Sequence, residues 1–200
     1  MAEELRWLGD APRAGERTRA LVTLGALVAA GTAIRFLGLG AQSFAYDEAF
    51  ATEFSRAPAL DLATGLVRDL GNPPLHPILL GFWAGLFGTG DVALRSFSAL
   101  VGALAIPVLW LVARRLVPSG VALLATLLFA VSPLHVTLAQ EARAFALVTL
   151  LGLLSVHALL RAVDQPRSTS RWLLYAIFTF GALYAHYYAV FLVLSHLLLL

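Results

Sequence analysis

The chain has 200 residues, 60% of them hydrophobic and 13% charged, with a mean hydropathy of +0.82 and a net charge of +2. Soluble domains carry roughly 25% charged residues, so this composition excludes an ordinary soluble domain, and apolar runs that are continuous rather than alternating argue against a β-barrel. The absence of cysteine excludes disulfides, thiolate catalysis and Cys-ligated metals, and no basic stripe interleaved with aromatics points to nucleic acid.

The chain reads as an all-α polytopic membrane protein. Residues 1–19 are polar and mixed in charge, with Arg6, Arg13, Arg17 and Arg19, and read as a retained cytoplasmic tail rather than a cleavable signal. A first span is expected at 20–39, long enough at ~1.5 Å per residue to cross a hydrocarbon core of ~30 Å. Arg35 lies one turn from its far end; the pattern leaves open whether it snorkels to the interface or faces a polar cavity. Residues 40–91 form a long outer loop. Tyr46, Phe50 and Phe54 recur there at i, i+4 and i+8, which gives a helix one aromatic face. Gly71-Asn72-Pro73-Pro74 breaks the chain, and the apolar stretch 75–87 that follows is short for a span.

Arginine placement orients the remainder. If 75–87 lies in the interface, the next span, 92–113, runs inward and leaves Arg114 and Arg115 in the cytoplasm with the Arg-rich tail. If 75–87 crosses, that pair faces outside, against the positive-inside tendency; the interfacial reading is preferred. Further spans are expected at 116–138, kinked or ended near Ser132-Pro133, then at 144–163 and 172–185, with an incomplete one at 189–200. Arg161, Arg167 and Arg171 then flank a second cytoplasmic loop. Asp47-Glu48, Asn72 to His76, His135 to Arg143 and His186-Tyr187-Tyr188 all fall on the opposite, extracytoplasmic side. Such segregation points to one polar site at the mouths of several helices, and it disfavours a transporter or channel, whose ionisable groups lie deep within spans. A non-catalytic, partner-binding membrane protein is the other alternative.

Asp47 and Glu48 are neighbours, so on a helix of ~3.6 residues per turn their side chains diverge and do not share a proton. Either they are solvated acids, or one is a general base while the other holds a partner. His76 is flanked by Pro73, Pro74 and Pro77, which stiffen the backbone around a possible donor to an anionic group; the same prolines also simply start a helix. Gln140, Glu141 and Arg143 stand at the start of a span. There Arg143 either binds phosphate through charge-assisted hydrogen bonds or snorkels. His186 and Tyr187 interrupt an apolar stretch, as a polar site or an interfacial belt would. His135 reads as a packed or interfacial histidine, and His157 and His196, mid-span, as structural. No ligand spacing supports a divalent cation.

Taken together, Tyr46-Asp47-Glu48-Ala49, Pro73-Pro74-Leu75-His76, Arg95-Ser96-Phe97-Ser98-Ala99-Leu100, Ser132-Pro133-Leu134-His135, Gln140-Glu141-Ala142-Arg143 and Tyr184-Ala185-His186-Tyr187-Tyr188 resemble the GT-C glycosyltransferases. The resemblance is to the protein O-mannosyltransferase/aminoarabinose transferase type, and order and spacing carry it rather than any one motif. It implies a helical bundle whose first outer loop carries membrane-parallel helices. It also implies a multi-pass plasma-membrane enzyme that moves a sugar from a polyprenyl-phosphate donor to an acceptor hydroxyl on the extracytoplasmic face, the acceptor being a protein, lipid or glycan. In such an enzyme Asp47 is the base of an inverting transfer and Glu48 its support. Arg143 holds the departing lipid phosphate, and His76, Gln140, Glu141, His186 and Tyr187 line the site. Relatives of this type have more spans than the six expected here.

Overall fold

The computed structural model describes residues 14–41, 48, 53 and 73–198. Asp47, Asn72, the Tyr46/Phe50/Phe54 face and the tail 1–13 lie outside the described residues. Every regular element among the described residues is helical: α1 Ala14–Phe36, α2 Leu75–Phe87, α3 Asp91–Leu116, α4 Ser119–Val131, α5 Pro133–Gln140, α6 Phe145–Asp164, α7 Thr169–Ala185 and α8 Ala189–Leu197.

Among the described residues, three stretches are long and apolar enough to cross a membrane, Thr18–Phe36, Asp91–Leu116 and Phe145–Asp164, or four if the bent pair Ser119–Val131 and Pro133–Gln140 is one span. The helix α1 starts at Ala14, ahead of its apolar stretch Thr18–Phe36, so the backbone of Arg17 and Arg19 is already helical. It stops at Phe36 because Gly38 follows with φ +78°, a left-handed conformation that only glycine adopts without strain. The expected span at 116–138 is two helices, α4 and α5, bent by 51° where Pro133 withholds a backbone N–H.

The bundle is organised around α3, which packs against α1, α2, α4, α5 and α6. Its buried positions include Ser98, Ala99, Gly102, Ala103, Ala105 and Ala113, and such small residues let neighbouring helices approach closely where no water drives them together. The most extensive pairing elsewhere is α6 with α7, where Ser155 and Thr179 exchange a 2.6 Å hydroxyl hydrogen bond. The short helix α2 buries His76, Leu80 and Ala84 at i, i+4 and i+8, and exposes Ile78, Phe82 and Leu86 on its other face. Trp83 fixes it to the start of α3, donating from Nε1 to Ala93 O at 2.9 Å and to Ser96 Oγ at 3.1 Å. The central apolar cluster joins α2, α3, α6 and the turn before α6 through Leu80, Leu94, Phe97, Val101, Ala142 and Leu147.

The polar groups separate toward the two ends of α3. At one end are Arg95 and the groups around it. At the other, Arg115 Nη1 meets Asp164 Oδ2 at 2.7 Å, Arg114 lies over the Trp110 ring at 4.7 Å, and Arg171 Nη1 donates to Arg161 O at 2.7 Å. His157 and His196, read as structural from the sequence, lie among α6, α7 and α8, where His196 Nδ1 meets Tyr175 OH at 3.1 Å.

Candidate active site

The site grows from the end of α1. Helix C-termini leave carbonyls without intrahelical donors, and here side chains from two other elements supply them. Gln140, the last residue of α5, donates from Nε2 to Ile34 O at 3.1 Å and Leu37 O at 2.8 Å. Arg95, one turn into α3, donates from Nη1 to Leu39 O at 2.8 Å. The amide of Gln140, expected to line a substrate site, is thus engaged in capping α1.

Arg95 also grips Glu48. Its Nε lies 2.9 Å from Oε1 and its Nη2 2.8 Å from Oε2, a bidentate pair whose side chains are 5% and 3% exposed. Glu48 is therefore not a solvated acid. Oε1 additionally accepts the Ala142 N–H at 2.9 Å. That N–H is presented by a tight turn after α5, in which Arg143 N donates to Glu141 O at 2.8 Å. The Ser98 hydroxyl holds the same turn by donating to Arg143 O at 3.4 Å. One carboxylate thus joins the segment between α1 and α2, the start of α3 and the turn before α6.

Past that turn the side chains stack. The Arg143 guanidinium carbon lies 4.6 Å from the Phe145 ring centroid, and Phe145 lies 5.2 Å from the His186 ring. Arg143 Nη1 reaches Glu141 Oε2 at 3.4 Å, a long contact between two half-buried side chains. His186 caps the end of α7. Burial, with a smaller push from the Arg143 charge, lowers its pKa. Its Nδ1 accepts the Tyr188 N–H at 3.2 Å, so the neutral ring carries its proton on Nε2 and presents a donor there. Tyr187 is exposed in the same turn.

His76 is placed differently from its neighbours in the expected set. It is 3% exposed, its ring lies 5.9 Å from that of Phe97, and its Nε2 has no hydrogen-bond partner among the described residues. Burial pushes its pKa down to about 4. Gathered around the turn, then, are Glu48, Gln140, Glu141, Arg143 and His186. Arg95 was missed as a site residue. The available signal was a charge one turn inside an apolar span, which needs a partner. No group of three or more His, Asp or Glu is placed to hold a metal ion among the described residues.

Comparison with curated proteins finds no match. Among solved structures, the chain is similar to the S. cerevisiae protein O-mannosyltransferase Pmt1-Pmt2 complex bound to the sugar donor, with a TM-score of 0.71 at 21% identity. That similarity covers 96% of this chain and 28% of the other, and it shows the shared GT-C fold. Residues 71–200, which run from the breaker before α2 through the turn and the His186 cap, match the family described as dolichyl-phosphate-mannose-protein mannosyltransferase, and the chain belongs to that family of membrane glycosyltransferases.

Proposed function

We propose that this protein transfers mannose from a polyprenyl-phosphate donor of the dolichyl-phosphate-mannose kind to an acceptor hydroxyl on a protein. Transfer takes place at the extracytoplasmic face of the plasma membrane, and the N-terminus and the Arg114/Arg115/Arg161 end are cytoplasmic. The observation that carries the reading is the hydrogen bond from Ala142 N to Glu48 Oε1. Asp47 is one peptide bond from the acceptor of that bond, and Arg143 is one peptide bond from its donor. A single 2.9 Å contact therefore ties the candidate base to the candidate phosphate holder.

In this mechanism the Asp47 carboxylate takes the proton of the acceptor hydroxyl. The hydroxyl oxygen attacks the anomeric carbon from the face opposite the phosphate, the bond from that carbon to the phosphate oxygen breaks, and configuration inverts. The lipid phosphate leaves with the electron pair. Arg143, spread over Phe145, and the Nε2–H of His186 stabilise the charge that grows on it, which is worth most where binding strengthens in the transition state. Glu48 stays ionised in its pair with Arg95 and anchors the loop that carries the base. The face of α2 bearing Ile78, Phe82 and Leu86 rests in lipid at the interface. Support comes from its length of 13 residues, too short at ~1.5 Å per residue for a ~30 Å core.

The test is a reconstituted full-length protein given a labelled polyprenyl-phosphate-mannose and a Ser/Thr-containing peptide. Asp47→Asn should lower turnover by at least ~100-fold, as loss of a general base does, with the protein still correctly inserted. Near-normal turnover would remove Asp47 from the base role, and failure of the unaltered protein to label the peptide would sink the whole reading.

A further inference from the structure

Arg35 is fully buried in the last turn of α1. A guanidinium inside an apolar bundle carries a heavy desolvation cost that its hydrogen bonds must offset; here the two Nη atoms are used, while Nε has no partner among the described residues. Nη1 donates to Gly31 O on its own helix at 2.9 Å and to Ala130 O at 2.9 Å, while Nη2 reaches Phe129 O at 3.5 Å. Phe129 and Ala130 are in the last turn of α4. In an unbroken helix their carbonyls would accept the N–H groups of residues 133 and 134. Residue 133 is proline and has no N–H, and the chain bends by 51° at that point. From the backbone, Phe129 O receives Ser132 N at 3.4 Å. Arg35 supplies from another helix the donors that the break removes.

The space for this is built into two glycines. A Cβ on Gly31 would lie 2.5 Å from Ile106 Cδ1 and 3.3 Å from Arg35 Nη1. A Cβ on Gly102 would lie 2.6 Å from Ala139 Cβ and 3.3 Å from Arg35 Nε. Buried cation and helix break are matched parts. Moreover, the stretch of α1 that holds the end of α4 through Arg35 also holds the end of α5, because Gln140 donates to Ile34 O and Leu37 O. The helix α5 thus lies between two ties to the end of α1, one on the α4 turn just before it and one at its own last residue, and Arg143 stands three residues beyond it.

We infer that Arg35 is a positioning residue for Arg143: by bonding the α4 carbonyls that the break at Pro133 leaves without helical donors, it sets the direction in which α5 leaves α4 and so where Arg143 meets the anionic phosphate of the lipid-linked donor. This rests on the reading of Arg143 given under Proposed function. Arg35 itself, buried and engaged with carbonyls, does not touch the substrate.

The experiment compares Arg35→Met, Arg143→Ala and the double variant in the reconstituted full-length protein, reading KM for polyprenyl-phosphate-mannose and for the peptide separately. Arg35→Met should raise the donor KM at least ~10-fold, one decade per ~1.4 kcal/mol of lost binding, and leave the peptide KM within twofold. On the Arg143→Ala background it should add nothing, since Arg35 acts through Arg143. An unchanged donor KM in Arg143→Ala overturns the reading of Arg143. A raised donor KM in Arg143→Ala that Arg35→Met multiplies again overturns the positioning role. Should Arg35→Met fail to insert, Arg35→Lys takes its place, keeping the charge but not the planar fork, with the same outcomes. Thermal unfolding gives a second reading: the loss caused by Arg35→Met should shrink when Pro133→Ala restores the missing N–H, and strict additivity overturns the helix-break account.

Discussion

Glu48 presents both carboxylate oxygens to the Arg95 guanidinium, at 2.9 and 2.8 Å, in a pair almost wholly removed from water. Removing one partner of a buried pair strands the other charge, at a cost of ~3–5 kcal/mol, more than the pair itself contributes. Arg95→Met should therefore destabilise the protein by that order, and Arg95→Lys should do little better, because an ammonium cannot reproduce the fork or reach Leu39 O at the same time. Glu48→Gln combined with Arg95→Met should cost clearly less than the two singles added. Thermal melts of the four proteins in one detergent decide this, and additive losses would show that the pair is not coupled.

Gln140 distinguishes capping from substrate binding. Its Nε2 faces two carbonyls at the negative end of α1. Gln140→Leu should cost ~1–3 kcal/mol by leaving acceptors unpaired. Gln140→Glu should be worse despite its similar shape, because it sets an anion against carbonyls. If Gln140→Glu melts like the unaltered protein while the donor KM rises, the side chain serves the substrate instead.

The long apolar runs are legible because a span needs length and hydrophobicity, both local properties. The break at Ser132-Pro133 is legible because proline acts on its own backbone. What each charge does is not legible in the same way. Glu48 and Arg95 are 47 residues apart, and no spacing rule connects them. The sequence leaves Arg35 between snorkelling and facing a polar cavity, and the outcome is set by the Ala130 carbonyl, 95 residues away, which the bend at Pro133 leaves without its helical donor. Gln140 stands out in the sequence because its polarity is visible, while the end of α1 that its Nε2 caps is a tertiary fact. The gathering of polar groups at one end was foreseeable from arginine asymmetry, since that signal is summed over the whole chain.

Phe145 tests the stacked column. Its ring lies under the Arg143 guanidinium and against His186. A cation over an aromatic face is worth ~0.5–2 kcal/mol, so Phe145→Leu should raise the donor KM by roughly 2- to 30-fold with the peptide KM unchanged. Equal rises in both constants would mean that the ring holds the fold of the turn rather than the cation.

His76 makes a pH-dependent contribution whose sign follows from its burial. Burial moves the folded-state pKa down from 6.5 to about 4, so the native ring stays neutral where the unfolded one takes up a proton. Between those values the unfolded state binds more protons than the native state, and stability falls as pH falls. The loss begins near the unfolded pKa and is complete below the folded one. Its size is ~3 kcal/mol at ~1.4 kcal/mol per pKa unit. Carboxylates titrate in the same range, so the comparison must be with a side chain that does not titrate. His76→Gln should melt more like the unaltered protein at pH 4.5 than at pH 7.5, because only the unaltered protein loses this increment. Melting temperatures that fall in parallel for both proteins across that range would show that the ring is not held neutral by its pocket against Phe97.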